Sequence, residues 1–344
     1  MNKIYVKIIN KNSEVYIYMS KKLRGDLMLI LTALIWGSSF VAQKSGMELI
    51  GPFAFNGIRT VIGGIVLIPV IILLEKFKAS GTDTEDAEGE NTVESMKSED
   101  EQKKEKKLLM TGGICCGLAL LVASSLQQIG IFYTTAGKAG FITALYVVLV
   151  PILGLFLKKK VRPVIWGCVF VSAIGLYLLC MPAEGGFGHI NKGDLLVLAC
   201  AVCFAIHILV IDHFSPKVDG VKLSCIQFFI AGIISVLLMF PCDPALGFDL
   251  PSLGNLLGSW LPLLYSGVLS CGVAYTLQIV AQADTDPTIA SMILCLESVF
   301  AVIAGMIILG ETMSFREVIG CIIMFAAIVV AQLPSKEERL KTTA

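Results

Sequence analysis

Ten apolar windows, each roughly long enough to cross a bilayer as a helix, take up most of the 344 residues and leave the chain few ways to fold. Five lie near residues 27–42, 53–74, 108–126, 139–157 and 164–181, and five more near 195–211, 223–240, 261–281, 288–309 and 318–333. They are continuously apolar rather than alternating. That favours helices over a β-barrel, because a helix pairs its own backbone N–H and C=O groups where water does not reach them. An apolar fraction of 56%, with 16% charged residues, leaves no room for a large extramembrane domain. The 27 basic and 27 acidic side chains cancel, which excludes a nucleic-acid binder built on charge excess. The expected fold is an all-α integral membrane protein of ten transmembrane helices.

Charge placement sets the orientation. Counting from an inside N-terminus, 22 of the 27 Lys and Arg fall on inner segments, four (Lys44, Lys138, Lys192, Arg316) on outer ones, and Arg59 within a span. Both termini are therefore expected in the cytoplasm of a multi-pass cell-membrane protein, with residues 1–24 and 334–344 as cytoplasmic segments. The bias is strong in the first half and weak in the second. Residues 75–107 hold eleven acids and seven lysines with almost no branched aliphatic or aromatic side chains, and read as a disordered cytoplasmic linker. The first apolar run lacks a small-residue cleavage pattern and is expected to stay as a span. Residues 1–18 fit neither class, and Met19, directly before Ser20-Lys21-Lys22, would make an alternative start. Of the eleven cysteines only Cys242 looks loop-like; Cys200 and Cys203 form a CxxC in mid-span with no second pair at metal spacing, so packing is their expected role.

The two halves resemble each other. Gly25-Asp26-Leu27 recurs as Gly193-Asp194-Leu195, 168 residues on, with Ala33 falling on Ala201. Later the offset is 153: Gly167-Cys168 falls on Gly320-Cys321 and Ala173 on Ala326. The change matches a long linker in the first half replaced by a shorter loop in the second. A five-span unit thus occupies 25–181 and again 193–333. Five is odd, so the second copy must insert upside down, the inverted-repeat plan of many secondary transporters with the substrate site near the midplane between halves.

Trp36-Gly37-Ser38-Ser39-Phe40 in the first span, Gly51-Pro52-Phe53 followed by Arg59, Pro151 in the fourth span, Gly193-Asp194, and Leu296-Glu297-Ser298-Val299-Phe300 before Leu309-Gly310-Glu311 and Gly320 form a recognisable set. Together they resemble the EamA-type members of the drug/metabolite transporter superfamily over about residues 27–333, the acidic linker apart. The resemblance implies ten helices in two inverted five-helix repeats that move small metabolites without ATP. The chain departs from the family pattern at Ser298, where Pro is frequent, and at Lys158-Lys159, where a Gly-Glu pair is usual. Amino acids, sugars, nucleotide-like metabolites and drugs are all handled in the family, so it names no substrate.

Charged groups at bilayer depth cost roughly 2.5–3.5 kcal/mol each on insertion scales, which makes every one present a candidate. Glu297 is the tenth residue of the 288–309 window, near the midplane, and is either a coupling carboxylate or a packing group held by hydroxyls. Desolvation and a neighbouring Arg59 would act on its proton affinity in opposite senses. Arg59, with Asn56 three residues before it on the same face, would hold an anionic group, reach the outer headgroups or pair with Glu297. His207 is a proton relay or a packed, hydrogen-bonded histidine. Cys271, Tyr275, Gln278 and Gln282 recur at helical spacing and make one polar face of the eighth span, lining a cavity or bonding to another helix. Gln127 with Gln128, Thr143 with Tyr146, and Gln227 add amides and aromatics that suit a zwitterionic or neutral polar solute. Gly113 and Gly117 form a GxxxG of the kind that brings helices close.

HExxH, GxSxG and GxxxxGK[ST] are all missing, the three histidines are scattered, and neither a catalytic group nor a cofactor or metal is expected. The reading is a secondary transporter for a small-molecule substrate such as an amino acid, a related polar solute or a drug-like compound, working by alternating access. Its partners are the lipid bilayer and a proton or counter-substrate; monomer and homodimer stay open. A membrane-embedded enzyme or a receptor or scaffold without transport is the alternative. Reporters fused after Ser335 and within residues 82–98 should both report a cytoplasmic position, and an external signal at either would overturn the orientation.

Overall fold

In hydrocarbon each segment must close its own backbone hydrogen bonds, and helices account for nearly all of the described residues. The computed structural model describes residues 4–10, 13–19, 21–80, 99–134, 136–159, 161–180, 191–309 and 314–333. In chain order the helices are α1 (Lys21–Gly46), α2 (Pro52–Ser80), α3 (Glu99–Tyr133), α4 (Ala136–Ala144), α5 (Tyr146–Phe156), α6 (Pro163–Cys180), α7 (Lys192–Phe214), α8 (Gly220–Ala245), α9 (Leu253–Gly258) and α10 (Trp260–Leu264). A π-helical segment (Tyr265–Tyr275) then runs into α11 (Thr276–Gln282), followed by α12 (Pro287–Leu294), α13 (Glu297–Leu309) and α14 (Phe315–Gln332). Among the described residues eight helical stretches are long and apolar enough to cross a membrane, and Pro163–Leu178 is a shorter apolar helix.

Several boundaries differ from expectation. The ends of the 75–107 linker are helical, since α2 runs on to Ser80 and α3 starts at Glu99. Glu, Lys and Gln are strong helix formers, so a helix anchored in lipid extends through them into water. Residues 81–98 lie outside the described residues, as does the tail 334–344. Before α1, strands β1 (Ile4–Asn10) and β2 (Ser13–Met19) pair antiparallel from Ile4↔Met19 to Asn10↔Ser13, an exception to the all-α expectation carried by β-branched and tyrosine residues. Cys242 belongs to α8 rather than to a loop.

The fourth and ninth spans, each expected as one helix, are interrupted at matching places. Leu145 between α4 and α5 has φ −60° and ψ −11°, and Cys295 after α12 has φ −63° and ψ −12°. Each break tightens to i→i+3 bonding: Leu145 N to Ile142 O at 3.2 Å and Val148 N to Leu145 O at 2.9 Å, Leu296 N to Ile293 O at 3.1 Å and Ser298 N to Cys295 O at 3.2 Å. In the eighth span the π segment opens carbonyls that α1 satisfies. Thr32 Oγ1 donates to Ala274 O at 3.0 Å and Trp36 Nε1 to Ser270 O at 3.3 Å.

Glycines let these helices meet backbone to backbone. A Cβ on Gly57 of α2 would stand 2.8 Å from Val236 N of α8, and one on Gly232 of α8 would stand 2.9 Å from Val61 N of α2, a reciprocal contact in which 57 answers to 232 and 61 to 236. At one end of the bundle a Cβ added to Gly193 of α7 would stand 2.8 Å from Gly130 O of α3, and at the other one added to Gly25 of α1 would stand 3.6 Å from Ala281 O of α11. The same holds for Gly113 and Gly117, which face Ile226 and Ile230 of α8. Asp243, fully buried near the end of α8, accepts from Phe53 N at 3.0 Å and Ala54 N at 2.9 Å and so caps α2 after Gly51-Pro52. Gly37 of α1 lies on the ninth span just past its break, where an added Cβ would come within 2.5 Å of Glu297 O and 2.8 Å of Ala301 N. Gly37→Ala should therefore destabilise the detergent-solubilised protein by about 1–3 kcal/mol. Gly140→Ala, where an added Cβ meets nothing within 4 Å, should be neutral or stabilising; equal thermal unfolding of the two variants would contradict this packing.

Candidate functional site

The interrupted segments converge on one elongated cavity. It is lined by Trp36, Ser39, Phe40 and Gln43 of α1, Arg59 of α2, Gln127 of α3, Thr143 and Tyr146 at the α4–α5 break, Phe204, His207 and Ile208 of α7, Ser270 and Tyr275 of the π segment, Gln278 of α11 and Glu297 of α13. Trp36 to Gln43 covers about 10 Å of α1 at 1.5 Å per residue, so the lining follows the helix axes rather than ringing a single level. The cavity is small, ≈ 30 Å³, room for about two waters. In this conformation it is a narrow cleft lined by aromatic and polar side chains.

At its centre Tyr146 Oη donates to Glu297 Oε1 at 3.1 Å, joining the two breaks directly. Glu297 opens α13, where the positive end of the half-helix dipole favours a carboxylate. Arg59 is 4% exposed, which excludes reaching the headgroups. Its Nε and Nη2 donate to Asn56 Oδ1 at 3.2 and 3.0 Å, its guanidinium carbon sits 5.6 Å from the Phe55 ring centre, and it forms no ion pair with Glu297. Asn56 in turn donates to Ser124 Oγ at 2.9 Å. His207 Nε2 and Gln227 Oε1 are 3.1 Å apart, Gln127 Nε2 donates to Thr143 Oγ1 at 3.2 Å, and the Trp36 and Tyr275 rings lie 4.5 Å apart. Gln43 Oε1, Gln278 Oε1 and His207 Nδ1 are buried without a hydrogen-bond partner. These three atoms are free to bond to a polar solute or to water in the cleft.

Of the ten residues expected at the site, Arg59, Gln127, Tyr146, His207, Tyr275, Gln278 and Glu297 line the cleft. Asn56, Gln227 and Gln282 do not. Asn56 braces Arg59, Gln227 braces His207, and Gln282 Nε2 donates to Ile208 O at 3.2 Å. The eighth-span face is also corrected: the wider π turn carries Cys271 away from the cleft against Gly63 of α2, 2.6 Å from where a glycine Cβ would lie. Sequence reasoning missed Trp36, Ser39 and Phe40 as lining residues although they form the Trp-Gly-Ser-Ser-Phe motif, and missed Gln43 because it falls one residue past the first apolar window. Ten lining residues form five pairs at two spacings: Trp36 and Phe204, Ser39 and His207, and Phe40 and Ile208 are 168 apart, while Gln127 and Gln278, and Tyr146 and Glu297, are 151 apart.

A multi-pass helical membrane protein whose broken helices enclose a buried polar cleft is built like a transporter. The model of the EamA-like transporter family matches residues 23–181 and again 191–332, and the chain belongs to that family. It is 30% identical over 316 residues to an uncharacterised transporter of Archaeoglobus fulgidus, covering 91% of this chain and 87% of the relative, and 25% identical over 330 residues to one of Clostridium kluyveri, covering 91% and 94%. The threonine/homoserine exporter RhtA of Escherichia coli K12 is 26% identical over 189 residues, which span 52% of this chain and 59% of the exporter. A crystal structure 18% identical superposes with a TM-score of 0.66 over 92% of this chain and 98% of the other, a likeness of fold.

A cysteine at position 278, in a background lacking native cysteines, should react with a small polar thiol reagent and be protected by substrate. One restored at 271 should stay inert. Reversed reactivities would contradict the π-segment geometry.

Proposed function

We propose that the chain is a secondary transporter of ten transmembrane helices in two inverted five-helix repeats, with both termini cytoplasmic, that moves a small polar metabolite by alternating access through the cleft. The pairing of the lining residues carries this reading. A cavity wall whose members recur at the repeat spacing is what two copies of one unit related by a two-fold axis would make, and inverted-repeat carriers bind substrate at such an axis. Packing supports it as well: α3 lies on α7 as α1 lies on the eighth span, α1 meets the ninth span as α7 meets the fourth, and α2 with α8 and α6 with α14 are partners of their own counterparts. The double match of the family model agrees with duplication. An amino acid or a related solute is the favoured cargo, on the polar lining and on the likeness to a threonine/homoserine exporter.

Glu297 is the coupling candidate. The ionisable groups that share its cleft are Tyr146, Arg59, His207 and Tyr275. If water or Arg59 reaches it in one access state and not in the other, its proton affinity differs between states and transport is linked to the proton gradient. Proteoliposome uptake across metabolite pools with imposed pH gradients tests the reading. Glu297→Gln, fixed in a neutral form, should remove acceleration by the gradient while the protein still inserts. Gradient-insensitive transport by the unmodified protein would end the proton role.

A further inference from the structure

Inverted symmetry poses a problem that the cleft resolves. A wall of matched pairs would accept a solute equally well in either direction, because each contact made by one end could be made by the other. Two ionisable side chains, one acidic and one basic, break the match. Glu297 is answered at the 151 spacing by Tyr146, and Arg59, by the reciprocal contact of Gly57 with Gly232 and of Val61 with Val236, is answered at 175 by Ile234. The two are not paired with each other: the guanidinium is held by the neutral amide of Asn56 and the Glu297 carboxyl by the Tyr146 hydroxyl.

We propose that Arg59 and Glu297 take opposite ends of a small zwitterion, Arg59 its carboxylate and Glu297 its ammonium, and thereby fix its direction in the cleft. The inference rests on the cleft being the substrate site. Charges out of water are tolerable when partnered and expensive when not, so the occupied cleft is best satisfied by a solute that brings one charge of each sign. A singly charged solute would leave one of the two unpartnered. The planar guanidinium, with donors beyond the two spent on Asn56, matches a carboxylate in fork geometry. The ammonium end would lie at Glu297, beside the Tyr146 hydroxyl.

Counterflow in proteoliposomes with the full-length protein tests this. The probes are radiolabelled α-amino acids, an ω-amino acid such as 4-aminobutyrate to gauge charge spacing, and, for the best of them, its 2-hydroxy acid and its decarboxylated amine. The unmodified protein should prefer the zwitterion over each singly charged analogue by about thirtyfold or more, the range set by stranding one buried charge. Glu297→Gln should erase the preference over the hydroxy acid and keep that over the amine, and Arg59→Gln should do the reverse. Arg59→Lys and Glu297→Asp should keep the zwitterion preference at lower rate, which separates a charge role from misfolding. Exchange of amino acids with no preference over the analogues, or equal loss for all probes in both Gln variants, would overturn the proposal while leaving a transporter. Exchange of uncharged solutes alone would do the same, and an inserted protein that exchanges nothing would overturn both readings.

Discussion

No water in the hydrocarbon core pairs a freed carbonyl or amide, so a helix can be interrupted there only where the protein itself supplies partners. The rest of this structure follows from how that demand is met. The tight turns at Leu145 and at Cys295-Leu296 keep i→i+3 bonds, and the π segment lends Ser270 O and Ala274 O to Trp36 and Thr32. All three interruptions are packed inside the bundle, and all three border the cleft. The interruptions are also what make the cleft polar: they present Tyr146, Tyr275 and Glu297 at the level where uninterrupted helices would present aliphatic side chains to each other.

Glycine contacts make the arrangement both tight and separable. Gly37, Gly57 and Gly232 bring backbones to van der Waals contact without side chains interlocking between them. Surfaces of that kind can slide or part with little repacking, as a carrier that opens to each side in turn requires. On the proposed two-fold relation of the halves, symmetry and its violation divide the labour. The matched aromatics, amides and hydroxyls would serve a solute from either side, and Arg59 and Glu297 would give it a direction.

Much of this was legible in the residues. Periodic apolar windows reported the helices because lipid imposes a length and a composition on each span, and Gly25-Asp26 with Gly193-Asp194 stood out because both glycines sit at close helix contacts, Gly25 against α11 and Gly193 against α3. Seven cleft residues were found because a polar side chain in an apolar window is conspicuous. What stayed hidden was backbone geometry. Nothing in Leu145 or in Cys295-Leu296 signals a break, and the usual proline is absent at Ser298, so the breaks are set by tertiary packing. The π segment was equally silent, and it misdirected the reading of Cys271. Asn56, Gln227 and Gln282 looked like wall residues because sequence separates polar from apolar positions and does not separate a group facing a cleft from one bracing its neighbour.

The central claim is that two related halves alternate about the cleft, one end opening as the other closes. Pulsed electron–electron resonance measures it most directly. Spin labels at the exposed positions Phe132 and Lys192 would report the end where α3 meets α7, and labels at Lys22 and Asp284 the opposite end, where α1 meets the eighth span. With pH and substrate varied in lipid nanodiscs, conditions that shorten one distance should lengthen the other. Two distances that stay fixed, or that widen together, would contradict the account.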